Sequence, residues 1–486
     1  MNRLDPLFDP RGIIVAGASA HPGKFGFVTL HNILRCGYEG AVYPLSLEGG
    51  DVLGRRVVTS VDDVPDGAAD LVFVCTPQPA NIELLEACAR RGVRAAFVAT
   101  AGYGEAGADG ARAQAELVDV AARHDMVLAG PNGQGVVSTP SSLCAQIVAP
   151  YPPAGTIGIV SQSGNLVSSL LNLSIQSGVG VSRAVSAGNA AAIGVADYLD
   201  YLATDDATAV SLAYVESVGD GRAFADAARR TTAQQPLVVL QGGTTSGGKR
   251  AAASHTGSLA SDERVFAGMC RQTGITRATT LEEAFEAAAT FSTAPLPAGP
   301  NVVVLTTVGG WGVLTADAIT RSSLTLLDLP DDLRAALDAR LPPRWSRNNP
   351  IDLAGSETRD TVPEILEVVA THPAVHAIVF LGVGIQSNQA ALMRTGRFFP
   401  DHGLERVVEF HERQDARYAQ AAAEISDATG KPILVASELA VTDRDNSGPR
   451  AVRDSGRYCA WSATRAVTAL EHLWQYARYR TRIDTP

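Results

Sequence analysis

A histidine within a run of small residues is the first candidate for chemistry in this chain. His255 lies in residues 249–260, where Ala, Ser and Gly predominate. Small side chains bury little area and leave the backbone free to choose its path, which is typical of a loop. A lone histidine in a loop is more often solvated than reactive. Here, however, the apolar residues 236–240 predict a buried strand just before it, and loops after parallel strands face the ligand side of α/β sheets.

Two other polar sites follow predicted strands of the same region. Ser163-Gly164 comes directly after an apolar strand and begins a predicted helix, and Glu216 ends the strand predicted over residues 209–214. Because the carboxyl ends of parallel strands meet at one edge of a sheet, we expect these two sites and His255 to lie close together.

The chain opens with a strand, a small-residue turn and a helix. Residues 12–17 form the strand, and the turn runs from Gly17 to Gly26. This unit places backbone N–H groups and a helix N-terminus against a phosphate. It departs from the dinucleotide fingerprint, because Ser19 and Pro22 stand where the second and third glycines would be. We interpret it as a site for a nucleotide-like ligand other than NAD.

Strands and helices then alternate along the rest of the chain, interrupted by Pro/Gly-rich linkers at residues 151–155 and 294–300. The order of strand, Ser/Thr, Gly and helix recurs after each linker. The sequence therefore predicts an α/β protein with parallel sheets in three domains, the first of them Rossmann-like. The predicted domains are residues 1–150, 155–294 and 300–486.

Composition limits the classes of partner. The 486 residues are 46% hydrophobic, enough for about three domains of ~150 residues. A net charge of −11 argues against nucleic acid or an anionic membrane as the main partner. The six cysteines form no C-x-x-C pair, so that no metal site or disulfide framework is predicted. With no leader and no apolar run of ~20 residues, a cytoplasmic protein acting on small molecules is expected.

Seven short motifs give the chain a family resemblance. In their order they resemble the NDP-forming acyl-CoA synthetases, which include the ADP-forming acetate–CoA ligases and the succinyl-CoA synthetase α chain. Each motif is weak alone, but the order is specific and covers nearly the whole chain. The motifs are Gly17-Ala18-Ser19 with Pro22-Gly23-Lys24, Gly130-Pro131-Asn132, Ser161-Gln162-Ser163-Gly164, Gly188-Asn189, Tyr214-Val215-Glu216 with Asp220-Gly221-Arg222, Ser254-His255-Thr256-Gly257, and Asn349-Pro350-Ile351-Asp352.

The resemblance implies a CoA-binding first domain followed by two flavodoxin-like ligase domains. The turn after the first strand would lie near the CoA phosphates, and the loops after later strands would line the rest of the site. The CoA-binding residues would be Gly17, Ser19, Pro22, Lys24, Gly26, Thr76, Pro77, Ala101, Gly102 and Asn132.

The resemblance also implies that His255 is phosphorylated. Acyl-CoA and phosphate would give an acyl phosphate, the phosphoryl group would pass to His255, and the loop would carry it to ADP. A carboxylate such as Glu216 that holds one imidazole N–H would fix the tautomer and raise the nucleophilicity of the other nitrogen. The helix start at Ser163 and Gly164 would offer backbone N–H groups to the phosphoryl oxygens.

In this family ADP phosphorylation needs an ATP-grasp module, and none is recognised after Arg480. The chain is therefore expected to be the α half of a complex with a separate ATP-grasp β chain, as an α2β2 assembly or built on an α homodimer. ADP, ATP and Mg²⁺ would be held mainly by that partner. Four departures from the family pattern bear on the choice of acid and on the CoA ribose-phosphate contacts: Glu48, Gly133, Ala192 and Trp311.

Two other classes of protein stay open. A catalytically silent or regulatory CoA-binding protein could keep the fold and lose turnover, although the presence of both Glu216 and His255 weighs against it. An NAD(P) oxidoreductase is disfavoured by Ser19 and Pro22. The identity of the carboxylic acid is not encoded in any spacing, because the pocket is assembled from several loops.

Overall fold

Residues 2–148, 150–248, 250, 263–353 and 360–484 are described by a computed structural model of the chain. The chain divides into two compact units. The first comprises residues 1–176 and 180–288, and the second comprises residues 177–179 and 289–486. Two sheets and a short hairpin belong to the first unit, and a third sheet belongs to the second.

The first sheet is fully parallel. Its segment contains β1 (Gly12–Ala16), β2 (Ala41–Leu45), β3 (Asp51–Val52), β4 (Arg55–Arg56), β5 (Leu71–Val74), β6 (Ala95–Val98) and β7 (Val127–Ala129), with helices α1 (Asp5–Phe8), α2 (Phe25–Arg35), α3 (Asn81–Arg90) and α4 (Ala108–Arg123). The order is β2-β1-β5-β6-β7, and β3 pairs only with β4. Strands β1, β5, β6 and β7 are buried along their whole length, as expected when both faces of a parallel sheet are covered.

The second sheet has seven strands. Its elements are β8 (Gly135–Ser138), β9 (Leu143–Gln146), β10 (Ala154–Ser161), β11 (Val181–Ser186), β12 (Val210–Val215), β13 (Leu237–Gln241) and β14 (Thr276–Ala278), with helices α5 (Gly164–Ser177), α6 (Val195–Leu202) and α7 (Gly221–Gln234) and later helices Glu263–Thr273 and Leu281–Thr293. The order is β14-β13-β12-β10-β11-β8-β9. Strands β10 to β14 run parallel, whereas β8 is antiparallel to β11 and to β9.

Strands β8 and β9 do not belong to the first sheet, although they lie within the predicted first domain. Both strands precede residue 150, where the sequence predicts the end of the first domain, yet they pair into the second sheet. Strand β8 pairs with β11, with Val137 opposite Ala184 and Val136 opposite Val185, and β9 pairs with β8. The hairpin thus covers the edge of β11, whose backbone groups would otherwise be unpaired.

The second unit has a sheet of six strands. Its strands are β15 (Asn301–Thr306), β16 (Thr325–Leu326), β17 (Ile351–Asp352), β18 (Ala377–Leu381), β19 (Ile433–Ala436) and β20 (Cys459–Ala460), and its helices are Gly309–Thr320, Asp331–Asp338, Thr361–Thr371, Ile385–Arg394, Leu404–Thr429, Leu439–Thr442, Ser447–Asp454 and Ala463–Asp484. The order is β16-β15-β18-β19-β20, and β17 pairs with β15. All pairs are parallel, as the sequence predicts for this region.

Hydrophobic packing is continuous within the first unit. One cluster joins β1, β5 and β6 of the first sheet to β10, β11 and β12 of the second. A separate cluster covers the opposite face of the first sheet. Among the described helices, none is both long and apolar enough to cross a lipid bilayer.

Candidate active site

A cavity of about 620 Å³ lies in the first unit, at the carboxyl ends of strands from both of its sheets. Open parallel sheets bind ligands at this edge. Its wall combines loops after β6 and β7 with the loops after β10, β11 and β12. The lining residues are Phe25, Ala99, Ala101, Gly104, Glu105, Gln114, Asn132, Gly133, Gln134, Ile147, Gln162, Ser163, Gly164, Asn165, Gly188, Asn189, Glu216 and Ser217.

Glu216 enters this cavity directly after β12. The hydroxyl of Tyr214 donates a 3.2 Å hydrogen bond to Glu216 Oε1. Burial raises the pKa of Tyr214 to about 12, and the negative charge of Glu216 acts in the same direction. Tyr214 therefore keeps its proton at neutral pH and acts as a donor that holds one carboxylate oxygen in place.

Ser163 and Gly164 form the start of α5 in the cavity wall. The backbone N–H of Ser163 donates to Ser161 Oγ at 3.1 Å, and that hydroxyl donates to the Ser163 carbonyl at 2.7 Å. A Cβ added at Gly164 would lie 2.4 Å from Cγ of Gln134, so that only glycine fits there without a shift. The first backbone N–H groups of an α-helix have no partner within the helix and are suited to binding an anion.

The turn after β1 is held against the first sheet by its backbone. Gly17 has φ of +81°, and its N–H donates to the Leu45 carbonyl at 3.0 Å. A Cβ at Gly26 would lie 2.0 Å from the Gly17 carbonyl oxygen, so the start of α2 approaches the turn as closely as a glycine permits. Ser19 Oγ accepts the N–H of His21 at 3.1 Å. Pro22 and Lys24 are exposed.

The loops after β5, β6 and β7 place the other predicted CoA-binding residues at the same sheet edge. Thr76 Oγ1 donates to Asn81 Oδ1 at 2.7 Å, and the Thr76 carbonyl accepts from Thr100 Oγ1 at 2.7 Å. Of the predicted set, Ala101 and Asn132 line the cavity together with Ser163, Gly164 and Glu216. The other predicted CoA-binding residues lie in the loops after β1, β5 and β6 and are not among the residues that line the cavity. They are Gly17, Ser19, Pro22, Lys24, Gly26, Thr76, Pro77 and Gly102.

A polar network across the cavity was not predicted from the sequence. Glu105 Oε2 accepts from Asn189 Nδ2 at 2.5 Å, and the same nitrogen donates to Gln114 Oε1 at 2.9 Å. Burial raises the pKa of Glu105, but hydrogen bonds from Asn189 and from the N–H groups of Gly102 and Tyr103 outweigh burial and lower the pKa. The network joins the loop after β6 to the loop after β11. Asn189 belongs to a quoted motif, whereas nothing in the sequence marks Glu105 or Gln114.

His255 lies outside the described residues. The strand that leads toward it is β13, whose last residue, Gln241, is in register with Val215 of β12. The N–H of Gly242 donates to the Val215 carbonyl at 2.9 Å, and a Cβ at Gly242 would lie 3.5 Å from Cγ of Glu216. The chain therefore leaves the second sheet beside Glu216 on its way to His255. The strands that precede Ser163, Glu216 and the loop with His255 are parallel neighbours, in the order β10, β12 and β13. That His255 lies close to the other two sites stays a prediction.

Three further features of the described residues are the potential metal ligands, the cysteines and Gly133. Within the described part of the chain, no group of three or more His, Cys, Asp or Glu side chains could hold a metal ion. All six cysteines are free. Gly133, which departs from the family pattern, is tightly packed, because a Cβ there would lie 2.8 Å from the Ser186 carbonyl oxygen and 2.6 Å from the Phe97 ring.

Comparison with known proteins identifies the class of chain that this fold and site define. A CoA binding domain matches residues 11–139, a succinyl-CoA ligase like flavodoxin domain matches residues 154–291, and a ligase-CoA domain matches residues 302–386. The alpha subunit of ADP-forming acetate–CoA ligase I from Pyrococcus furiosus is 37% identical over 382 residues, which is 78% of this chain and 82% of the relative.

Two further proteins extend the comparison. The ADP-forming 4-hydroxybutyrate–CoA ligase of Nitrosopumilus maritimus is 31% identical over 77% of this chain, but the match spans only 54% of that relative. The structure of the dinucleotide forming acetyl-coenzyme A synthetase 1 of Ca. Korarchaeum cryptofilum, in complex with phosphate and ADP, matches 100% of this chain and 99% of its own with a TM-score of 0.85 and 29% identity.

The chain thus belongs to the family of NDP-forming acyl-CoA synthetases. The resemblance and the fold class predicted from the sequence, a CoA-binding domain followed by flavodoxin-like ligase domains, are confirmed.

Proposed function

We propose that this chain is the catalytic α-type subunit of an ADP-forming acyl-CoA synthetase, which interconverts acyl-CoA, ADP and phosphate with a carboxylic acid, CoA and ATP. The observation that carries the proposal is the shared cavity. It brings Ala101 and Asn132 of the CoA-binding region into one space with Ser163, Gly164 and Glu216. A thioester bound by the first region would meet a phosphate held by the second.

The chemistry divides between two steps on this chain. A phosphate oxygen attacks the thioester carbonyl carbon, the C–S bond breaks, and CoA leaves as its thiolate while acyl phosphate forms. A nitrogen of His255 then attacks phosphorus, the bond from phosphorus to the acyl oxygen breaks, and the carboxylate leaves. Glu216 would orient the imidazole, and the α5 N-terminus would stabilise charge on the phosphoryl oxygens. Transfer from His255 to ADP completes the cycle.

We assign CoA binding to residues 1–150, the phosphohistidine loop to residues 155–294 and a second ligase domain to residues 300–486. The CoA phosphates would lie against Gly17, Ser19, Pro22, Lys24 and Gly26. The loops containing Thr76, Pro77, Ala101, Gly102 and Asn132 would line the remainder of the CoA site. A left-handed Gly17 and the close approach of Gly26 support this, because they bring the N-terminus of α2 against the turn after β1, and a helix N-terminus at such a turn is suited to a phosphate.

The nucleotide would be held by a separate chain. Two Pyrococcus furiosus relatives are named as alpha subunits, and this chain spans about half of the 4-hydroxybutyrate–CoA ligase. An ATP-grasp β subunit with ADP or ATP and Mg²⁺ would complete the enzyme as an α2β2 assembly. We place the enzyme in the cytoplasm.

Release of the CoA thiol tests the proposal. The chain is mixed with acetyl-CoA, 4-hydroxybutyryl-CoA or feruloyl-CoA, with and without phosphate, and free thiol is followed with a chromogenic disulfide. We expect thiol release by at least one acyl-CoA, dependent on phosphate and limited to about one equivalent per chain in the absence of ADP. CoA binding without release from any acyl-CoA would instead identify a silent CoA-binding protein, and tight NADH binding would favour an oxidoreductase.

A further inference from the structure

The side chain of Gln162 links the loop between β10 and α5, where the phosphate is proposed to bind, to the backbone of Glu216 and Ser217. Gln162 Oε1 accepts the N–H of Glu216 at 2.6 Å and the N–H of Ser217 at 3.1 Å. Its Nε2 donates to the Ser217 carbonyl at 2.9 Å. One side chain therefore uses both ends of its amide on two consecutive residues after β12.

These bonds continue the sheet beyond its last backbone pair. The ladder between β10 and β12 ends with Ser161 opposite Tyr214, and the N–H of Gln162 still donates to the Tyr214 carbonyl at 3.2 Å. Beyond this pair the segments that follow β10 and β12 separate, because α5 begins at Gly164. The Gln162 side-chain amide bonds three backbone groups that a continued strand β10 could have paired: the N–H of Glu216, the N–H of Ser217 and the Ser217 carbonyl.

The neighbours of Gln162 are fixed as well. Ser161 Oγ bonds both the N–H and the carbonyl of Ser163, so the loop on the phosphate side has its own support. On the other side, Tyr214 holds the Glu216 carboxylate. Gln162 lies between these two supports and bonds the backbone of both Glu216 and Ser217.

From this geometry we propose that Gln162 is a positioning residue, which sets the spacing between the Glu216 carboxylate and the N-terminus of α5. The proposal rests on the proposed function, because that spacing matters only if an imidazole held by Glu216 must attack a phosphoryl group held at Ser163-Gly164. Reacting groups displaced by about 1 Å can lose roughly a hundredfold in rate. Loss of the Gln162 amide removes the hydrogen bonds to the backbone of Glu216 and Ser217 and leaves the Glu216 carboxylate and the α5 N-terminus in place.

Three variants test this role. Gln162→Met keeps the length of the side chain and removes all three hydrogen bonds. Gln162→Glu keeps acceptors for the N–H groups of Glu216 and Ser217, but it replaces the donor to the Ser217 carbonyl with a second acceptor and adds a negative charge beside the cavity. Gln235→Met is the control, because Gln235 is a buried glutamine whose Nε2 donates to the Leu202 carbonyl and to Ser211 Oγ, away from the cavity that the half-buried Gln162 lines.

The readouts are the single-turnover rate of phosphate-dependent CoA release, the KM for acyl-CoA and the melting temperature. Gln162→Met should lower the rate roughly a hundredfold and change KM by less than about twofold. Gln162→Glu should recover a large part of the lost rate. Gln235→Met should lower the melting temperature as much as Gln162→Met does and keep the wild-type rate.

The proposal is overturned if Gln162→Met keeps the wild-type rate, if its effect falls on KM alone, or if Gln162→Glu is as slow as Gln162→Met. Its failure is distinguishable from failure of the proposed function. In the first case the wild-type chain releases CoA and the variants match it or break the expected pattern. In the second case the wild-type chain itself releases none.

Discussion

Glu216 and Tyr214 show what single residues contribute to the site. The Tyr214 hydroxyl lies 3.2 Å from Glu216 Oε1, and burial keeps that hydroxyl protonated. One oxygen of the carboxylate is thus occupied by a fixed donor. An orienting carboxylate is effective only if its own rotamer is fixed, and a neutral phenol achieves this without cancelling the negative charge.

Replacement of Glu216 by glutamine is the most specific test at this scale. The amide keeps the shape of the side chain and can still accept from Tyr214, but it has no negative charge with which to orient an imidazolium or raise the nucleophilicity of a neutral imidazole. We expect the single-turnover rate of CoA release to fall about a hundredfold or more. The control is Glu412→Gln, which removes an exposed ion pair with Arg394 in the other unit. If Glu216→Gln releases CoA at the wild-type rate, the Glu216 carboxylate has no role in the reaction.

Some of these residues were predictable from the sequence alone. Ser163 and Glu216 end apolar runs, and the parallel-sheet rule brings strand ends together. The part played by Gln162 could not be predicted, although it lies within a quoted motif, because its partners are backbone groups 54 and 55 residues away. Glu105 and Gln114 meet Asn189 only after two sheets pack against each other.

At the scale of elements, the contact between α2 and the turn after β1 decides whether the first region can bind a phosphate. Gly26 is in the first turn of α2, and a Cβ there would overlap the Gly17 carbonyl oxygen at 2.0 Å. Because that atom belongs to the backbone, neither partner can rotate away. The helix start or the turn must move, and both were predicted to contact CoA.

Gly26→Ala is therefore expected to cost about 1–3 kcal/mol of stability and to weaken CoA binding. Gly221→Ala is the matched control, since Gly221 is also in the first turn of a helix and nothing lies within 4 Å of its added Cβ. Calorimetry gives the melting temperature, and titration calorimetry with CoA gives the affinity. Equal CoA affinity in wild type and Gly26→Ala would place the CoA phosphates elsewhere.

The opposite edge of the first sheet is fixed by Asp70, at the residue before β5. Its carboxylate accepts from Arg11 Nη2 at 2.7 Å, from Arg11 Nε at 2.9 Å and from Arg94 Nη2 at 3.1 Å. The hydrogen bond from Arg11 is the main cause that lowers the pKa of Asp70 to about 2, against the effect of burial. This group ties β1, β5 and β6 together, far along the strands from the cavity edge.

Asp70→Asn gives a prediction about pH. A carboxyl whose pKa is lower in the folded state stabilises the fold above its unfolded pKa, near about 4, and loses this contribution as pH falls toward the folded value. The variant should be less stable than wild type by at most about 2 kcal/mol at pH 7. The difference in melting temperature should shrink between pH 4 and pH 2, with CoA affinity at pH 7 unchanged. A difference that does not depend on pH would contradict this account.

Elements were more predictable than their assignment to sheets. The strand predicted over residues 209–214 is β12, Val210–Val215, in the structure, because its apolar run is continuous and mostly buried. In contrast, β8 and β9 are short, and their hairpin joins the second sheet only by antiparallel pairing of β8 with β11, more than 40 residues further on. No local periodicity carries such information. The linker at residues 151–155 was visible as a Pro/Gly run, but the pairing across it was not.

For the whole molecule, the relatives named as alpha subunits and the relative of which this chain spans about half give a prediction about assembly. This chain mixed with an ATP-grasp β chain from the same genome should form a larger complex by light scattering and should make ATP from acyl-CoA, ADP and phosphate. The chain alone should make none, because the proposed function assigns nucleotide binding to the β chain. ATP formation by the isolated chain at the rate of the mixture would show that the partner is dispensable.

The central claim is that one imidazole carries the phosphoryl group between the thioester and the nucleotide. The most direct measurement is incorporation of radiolabelled phosphate into the chain in the presence of acyl-CoA, with the label located by mass spectrometry of its peptides. We predict an acid-labile, base-stable label on the peptide that contains His255, present in wild type, strongly slowed in Glu216→Gln and absent from His255→Ala. Undiminished labelling of His255→Ala, or a label on another peptide, would contradict the account.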